Sequence, residues 1–470
     1  MVPVSNKGYF RDAFGRFFSH LGSRIAIGVI AAIALFSVII PLAVPRPEGL
    51  MDPYYAKLPP RLGHLGQSGL SLGAVSRRLG DEALARLYGI GIGASDASFS
   101  PVISLSEREG RVRGVLLDAY LEVGFVYKTL PRVEFEDILR WQRESGRQVL
   151  YPLVAANEYN PAPGDANSWY RADGEGLPTD ADGERIEVSF DMPLVDNYLR
   201  APSGEPVIAL PAGAAEPEPD AYRVRILYYN YYIYKNGMEP IYILGTDSQG
   251  YDLALRTASG IRVSLLLALA VSAINLMIGA LVGAVEGYYG GAVDLILERV
   301  TDVLSGVPFI VVATLFQIYL SDRVGAVPSL LFAFVLTGWL GTASRVRGQF
   351  FRYKGAEYVL AARTMGVSDA RIIWRHIFPN TLGVLITASA LAIPGVIFTE
   401  SMLSFLGIVN LGAEGVTSLG ALLSDASGIW VGYPHLMLVP ASIISLLMIS
   451  FNVMGNRLRD AFDPGTKGGV

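Results

Sequence analysis

Six apolar runs, at 25–44, 263–285, 304–320, 328–343, 382–403 and 436–454, constrain this chain more than any other feature. A run of about 20 apolar residues matches the hydrocarbon core of a bilayer when coiled as a helix. Within lipid each backbone amide must find its partner inside the segment, so helices are the expected form. The fourth run is short and contains glycine, which leaves its edges the least defined. The first follows Lys7, Arg11, Arg16 and Arg24. A secretory leader begins in the same way, but this apolar core is too long and no A-x-A site follows, so a retained span is expected. The 51% hydrophobic and 17% charged composition of the 470 residues suits a polytopic protein that also carries a soluble part.

That soluble part is expected at 45–240. It holds many charges, turn signals such as "NPAPGDANS" and "TDADGER", and the acidic linker "AAEPEPDAY". "FEDILRWQRESG" has the spacing of an amphipathic helix, with Phe135 and Trp141 on its buried face, and "RVRILYYNYYIY" that of a strand. A mixed α/β domain follows. Its tyrosines 228, 229, 231, 232 and 234 have two readings: a stacking platform for peptide side chains, or a strand packed near the membrane interface. An EF-hand at Asp180, Asp182 and Gly183 fails, because Pro178 and Ser189 stand where ligands are needed; an Asp-Gly turn accounts for the stretch. "GIGIG" at 89–93 has no dinucleotide-binding context.

With six spans both termini lie on one side, and the distribution of Lys and Arg selects it. The 344–380 connection carries seven basic residues against two acids, the tail adds Arg457, Arg459 and Lys467, and 404–435 has no Lys or Arg. The termini (1–24 and 456–470) and the 344–380 connection are therefore expected in the cytoplasm and 45–240 outside. The 286–303 loop departs from this rule, being mostly acidic with only Arg299. The net charge of −5 argues against nucleic acid, the absence of cysteine excludes disulfides and thiol chemistry, and no two of the four histidines share a metal-ligand spacing.

Between the fourth and fifth runs lies "EYVLAARTMGVSDARIIWRHIFPN". "EYVLAARTMG" is a helix by propensity that Gly366 ends. Ser368 then caps a second helix, with Asp369 in its first turn, and Pro379 closes it before the next span. The plain reading is an anchoring loop.

"AARTMG…RHIFPN" resembles the coupling-loop signature of ABC importer permeases in its peptide-importer form. Ala361, Ala362, Gly366 and Pro379 fall on the pattern, and His376 and Asn380 match the peptide-importer variant. Leu360 stands where the signature has glutamate, and Phe378 replaces leucine; Glu357, one turn earlier, is the available carboxylate. "ILGTDSQGYDLALRTASGIRVSLL", "GYYGGAVDLILERVTDVLSGVP", "ESMLSFLG" and "FNVMGNRLRDAFDP" are likewise similar to the C-type subunit of oligopeptide and dipeptide permeases, while 46–240 lies outside the resemblance. The family implies an all-α polytopic membrane domain of six transmembrane helices, ABC importer type, with an inserted α/β mixed extracytoplasmic domain. Transmembrane helix 1 is then 25–44 and the permease domain 241–455, including the coupling loop 355–380.

The resemblance also implies partners: a homologous B-type permease, two ATPase subunits that bind the ATP, and an extracytoplasmic solute-binding protein, in a bacterial inner membrane. No lysine follows a glycine here, so the chain lacks the Gly-Lys of a P-loop and is expected to be no enzyme and to hold no cofactor. Apart from their edges the spans lack Asp, Glu, Lys and Arg, unlike those of proton-coupled transporters. Pro308, Pro394 and Pro440 interrupt helices. Asn275 and Gln317 are candidates for a polar translocation path, or for hydrogen-bonding glue between helices. Peptide is the expected substrate; related importers carry nickel chelates, opines or oligosaccharides. A membrane-anchored sensor and a secondary transporter are the readings from other classes.

Overall fold

The structure, a computed structural model, describes residues 6–61, 73–94, 97–106, 113–151, 166–167, 171–172, 178–179 and 221–462. The stretch around Asp182 and Gly183, most of the acidic linker and Lys467 lie outside the described residues. In chain order the helices are α1 (Asn6–Ser19), α2 (Leu21–Ala43), α3 (Asp81–Ala94), α4 (Arg132–Ser145), α5 (Tyr228–Asn236), α6 (Leu253–Tyr289), α7 (Gly291–Ser305) and α8 (Phe309–Val324). They continue with α9 (Ala326–Gly338), α10 (Leu340–Tyr353), α11 (Glu357–Thr364), α12 (Asp369–Arg371), α13 (Phe378–Phe405), α14 (Leu419–Ala426) and α15 (Pro434–Phe462). The strands are β1 (Ala74–Leu79), β2 (Val102–Ser106), β3 (Arg113–Asp118), β4 (Phe125–Pro131), β5 (Leu150–Tyr151), β6 (Arg171–Ala172), β7 (Pro178–Thr179) and β8 (Ala221–Leu227). Two compact units result: Met1–Leu50 with Ala254–Val470, and Met51–Leu253.

The second unit is built on two antiparallel three-stranded sheets, ordered β1-β3-β2 and β4-β8-β5, and a short β6-β7 pair. It continues to Leu253, past the expected limit at 240. Thr246 explains why: its hydroxyl donates to the Tyr55 carbonyl and accepts from Leu58 N–H at 2.8 Å, which ties "GTDSQGYD" to this unit's own core. Helix α4 forms where expected and stops at Gly146, whose φ of 71° suits only glycine well. Phe135 is buried on it, and Trp141 is half-buried against Tyr234.

The tyrosine stretch corrects the sequence reading. Only 221–227 is a strand; Tyr228 begins a helix. Tyr228, Tyr231 and Tyr232 are buried while Tyr234 is partly covered, a spacing of three and four that belongs to a helix. Tyrosine's β-propensity hides that period in the sequence. These rings form the core with Tyr55, Tyr120 and Tyr242, and Tyr228 donates to Asp52 Oδ1 at 2.7 Å. Burial raises the Asp52 carboxyl above its usual range, against the lowering effect of that hydroxyl and of the Tyr54 N–H. In "GIGIG" the glycines serve packing: a Cβ on Gly93 would lie 2.7 Å from both Arg225 Nη2 and Phe125.

The first unit has five helical segments long and apolar enough to cross a membrane: Leu21–Ala43, Leu253–Tyr289, Ala326–Tyr353, Asp369–Phe405 and Pro434–Phe462. A sixth is reached if α7 and α8 together make one span, but the pair bends by 75°. Gly306 and Pro308 set the break, since proline cannot continue the amide ladder of the preceding helix. The expected 286–303 loop is therefore helical: the end of α6, and then α7. Pro41, Pro394 and Pro440 lie inside their helices.

Close backbone contact joins α6 to α10. Gly279, Gly283 and Gly287, one turn apart, face Thr342, Ala343, Val346 and Phe350, and a Cβ on Gly283 would fall 2.2 Å from the Ala343 carbonyl oxygen. Small residues at such a crossing allow the dispersion contact that drives helix association in lipid. The sequence reading of charge-free spans needs one amendment. Glu400 on α13 is 1% exposed, and it accepts hydrogen bonds from Ser264 (3.1 Å), Ser404 (3.1 Å) and Ser401 (3.4 Å). Ser264 in turn accepts from Leu419 N–H, so one carboxylate joins α6, α13 and α14.

Gly283→Leu is expected to lower stability by about 1–3 kcal/mol through overpacking. Gly341→Leu, where a Cβ meets nothing within 4 Å, is the neutral control. Thermal unfolding of the purified full chain checks both; equal melting temperatures would deny the close crossing.

Candidate functional site

The segment 354–380 forms one short helix, a glycine turn and the start of a second helix. Three amide bonds fix the turn: Met365 N–H to Ala361 O (3.1 Å), Gly366 N–H to Arg363 O (3.0 Å) and Val367 N–H to Ala362 O (3.2 Å). The last two are the paired bonds of a Schellman motif, and Gly366 takes the left-handed conformation it needs, at φ 75°. A Cβ at Gly366 would meet no atom, so the demand for glycine comes from backbone conformation alone.

The second helix differs from expectation in two respects. Ser368 is at the N-cap with extended φ and ψ, but its side chain makes no capping bond. Asp369, in the first turn, instead accepts from the Tyr288 hydroxyl of α6. Nor does Pro379 close the helix: Asp369–Phe405 runs on as one 37-residue segment. Its Ile372–Ile377 turn is π-helical, and the wider coil leaves room before a proline that lacks an N–H. The helix therefore passes from the two-helix knob straight into the apolar segment without a joint.

One face of the knob is packed. Val359, Ala362, Ile372 and Ile377 are at most 2% exposed, and they cluster with Ala280, Ala284 and Tyr288 of α6 and Val346 and Phe350 of α10. Each buried isoleucine contributes about 1.5–3 kcal/mol. The other face is open. Tyr358, Leu360 and Trp374 are between 43% and 47% exposed and Met365 is 76% exposed, with Glu357 and Ala361 also exposed beside them. His376 is half-buried, and its carbonyl accepts from Asn380 Nδ2 at 2.8 Å. Asn380 also donates to the Tyr358 hydroxyl at 3.2 Å, which bridges the two helices. Glu357, Ala361, Ala362, Gly366, Asp369, His376, Pro379 and Asn380 thus all fall on one compact body, with Ala362 inside it.

Asn275 and Gln317 are each 8% exposed, and each donates to a backbone carbonyl: Asn275 to Phe334 at 3.5 Å and Gln317 to Ala326 at 3.0 Å. Sequence reasoning missed an ion cluster behind the knob. Arg347 of α10 donates to both oxygens of Asp294 (2.5 and 2.8 Å) and to Glu298 (3.2 Å), both on α7. The acids that break the charge rule at 286–303 are those that neutralise this arginine; their departure from the rule was the available signal.

Residues 275–468 match the family described as the binding-protein-dependent transport system inner membrane component. The dipeptide transport system permease protein DppC of Bacillus subtilis is 40% identical over 223 residues, 47% of this chain and 68% of that protein. OppC, the oligopeptide transport system permease protein of Haemophilus influenzae, is 42% identical over 228 residues, covering 48% and 71%. DppC of Lactococcus lactis is 38% identical over 224 residues, covering 47% and 64%, so the chain spans roughly two thirds of the length of these relatives. A chain of the inward-facing MetNI methionine ABC transporter superposes with a TM-score of 0.38 at 16% identity, over 44% of this chain and 96% of that one. The family match and the Bacillus and Haemophilus relatives show that the chain belongs to the binding-protein-dependent family of inner-membrane transport components. Within that family its named relatives are the C-type permease subunits of dipeptide and oligopeptide systems.

Tyr288→Phe removes the hydroxyl that meets Asp369 and is expected to loosen the knob while the apolar helices remain. Hydrogen exchange across 357–377 should quicken, in keeping with the loss of about 1.5–3 kcal/mol for a bond to a charged group. Unchanged exchange would show that the apolar cluster alone seats the knob.

Proposed function

We propose that this chain is a transmembrane permease subunit of a bacterial ABC importer for peptides. The observation that carries this reading is the two-helix knob with one packed and one open apolar face, rooted in a helix that continues without a break into an apolar segment. Energy supplied at the open face would tilt that helix as a rigid lever. The chain forms half of a translocation path, with a homologous B-type permease forming the other half. Two ATPase subunits bind the ATP and take the knob into a groove, and a solute-binding protein delivers the peptide from outside. Both termini and the knob then lie in the cytoplasm and Met51–Leu253 outside, in accord with the basic residues of 344–380. The peptide substrate rests on the named activities of the relatives. The Glu357 carboxylate takes the role of the glutamate that Leu360 replaces, by pairing with a basic group on the ATPase.

Gly366→Val tests the lever. A β-branched residue at φ 75° is disfavoured by roughly 1–2 kcal/mol, and relieving it misdirects the second helix. Membrane insertion is expected to persist, while peptide uptake and transport-linked ATP hydrolysis in proteoliposomes fall to background. Normal uptake by this variant would refute the role of the knob. In the same assay Glu357→Gln should lower uptake, and Leu360→Glu in that background should restore part of it.

A further inference from the structure

We infer that the first unit carries a built binding site for the phosphate headgroup of an anionic phospholipid, in a cavity between α10, α13 and the last turn of α15. The cavity measures about 490 Å³. Arg345 and Arg352 of α10 and Arg459 of α15 contribute three positive charges to its wall, and no carboxylate lines it. Gln349 and Tyr353 of α10 and Phe462 of α15 also line it, and along α13 its wall runs from Asn380 past Val384 and Ala388 to Leu391, about three turns. A cationic mouth beside a strip of Val384, Ala388 and Leu391, with polar groups of Gln349 and Thr387 between them, matches a headgroup phosphate and glycerol joined to the start of an acyl chain.

The treatment of the α10 arginines strengthens the assignment. Arg347, on another face of the same helix, is met by Asp294 and Glu298. Arg345, Gln349 and Arg352 recur at four and three residues and so share one face of α10, and that face turns to the cavity. Among the described residues no carboxylate forms an ion pair with Arg345, Arg352 or Arg459, whereas Arg457, two residues before the last, pairs with Asp460. These cations lie where apolar segments end: α10 closes the Ala326–Tyr353 segment and Arg459 stands in the last turn of α15. Basic residues at the ends of apolar segments are suited to the headgroup region, and guanidinium binds phosphate through paired donors. A soluble anion would satisfy the charges but leave the floor along α13 without a partner.

The test uses the full chain, delipidated in detergent, with phosphatidylglycerol and phosphatidylcholine as probes and bound lipid counted by native mass spectrometry. Arg345→Gln combined with Arg459→Gln is expected to weaken phosphatidylglycerol binding about thirty-fold and to leave phosphatidylcholine unchanged. Arg345→Lys with Arg459→Lys, which keeps the charge, should recover most of the loss. Ala388→Trp, which fills the floor and spares the arginines, should also reduce retention. Equal phosphatidylglycerol binding by the wild-type chain and the double glutamine variant would overturn the site. Displacement of the lipid by inorganic phosphate or by a tripeptide at millimolar concentration would assign the arginines to a soluble anion and overturn the lipid reading.

Discussion

The membrane unit depends on the direct backbone contact between α6 and α10. Three glycines one turn apart let α6 approach until a Cβ at Gly283 would lie 2.2 Å from a carbonyl oxygen of α10. In lipid no hydrophobic drive brings helices together, so the closeness of this contact does the holding. The seat of the knob lies beside it. The crossing sets Tyr288 against Asp369, and Val346 and Phe350 under the isoleucines of the π-helical turn. The α10 helix then uses its own faces in different ways: one meets the glycines, one presents Arg347 to α7, and one turns Arg345 and Arg352 to the cavity.

The two units solve polar burial by different means. In the membrane unit the Glu400 carboxylate is enclosed by serine hydroxyls from two helices, and Ser264 passes the contact on to the start of α14. In Met51–Leu253 aromatic rings fill the core, and several of their hydroxyls are anchored in different ways: Tyr228 and Tyr231 donate to carboxylates, Tyr120 to the Pro59 carbonyl, and Tyr232 and Tyr242 meet at 3.0 Å. A chain without cysteine has no covalent staple, so each unit relies on packing alone.

Much of this was legible in the residues. The apolar runs locate the long helices because backbone satisfaction in lipid leaves no other form. Gly366 could be placed at a left-handed turn because helix-ending glycine has one dominant cause, and α4 because its apolar spacing is regular. Other features depend on tertiary contact. Tyrosine's strand preference concealed the helical period of 228–236, which shows only once the buried rings are known. Pro379 usually ends a helix, and only the π-helical turn before it lets α13 continue. The ion cluster at Arg347 needs two segments more than 45 residues apart, and pattern reading could register it only as acids on the unexpected side.

The central claim is that the open face of the knob receives the ATPase subunit. The chain has no cysteine, so single thiols can be placed without background. Met365→Cys, at a position 76% exposed, and Val359→Cys, at one fully buried, would each be assembled into the transport complex and treated with a thiol-to-amine cross-linker. Docking at the open face predicts a permease–ATPase product from Met365→Cys and none from Val359→Cys. A complex that transports peptide yet yields no product from Met365→Cys, or equal product from both, would contradict it.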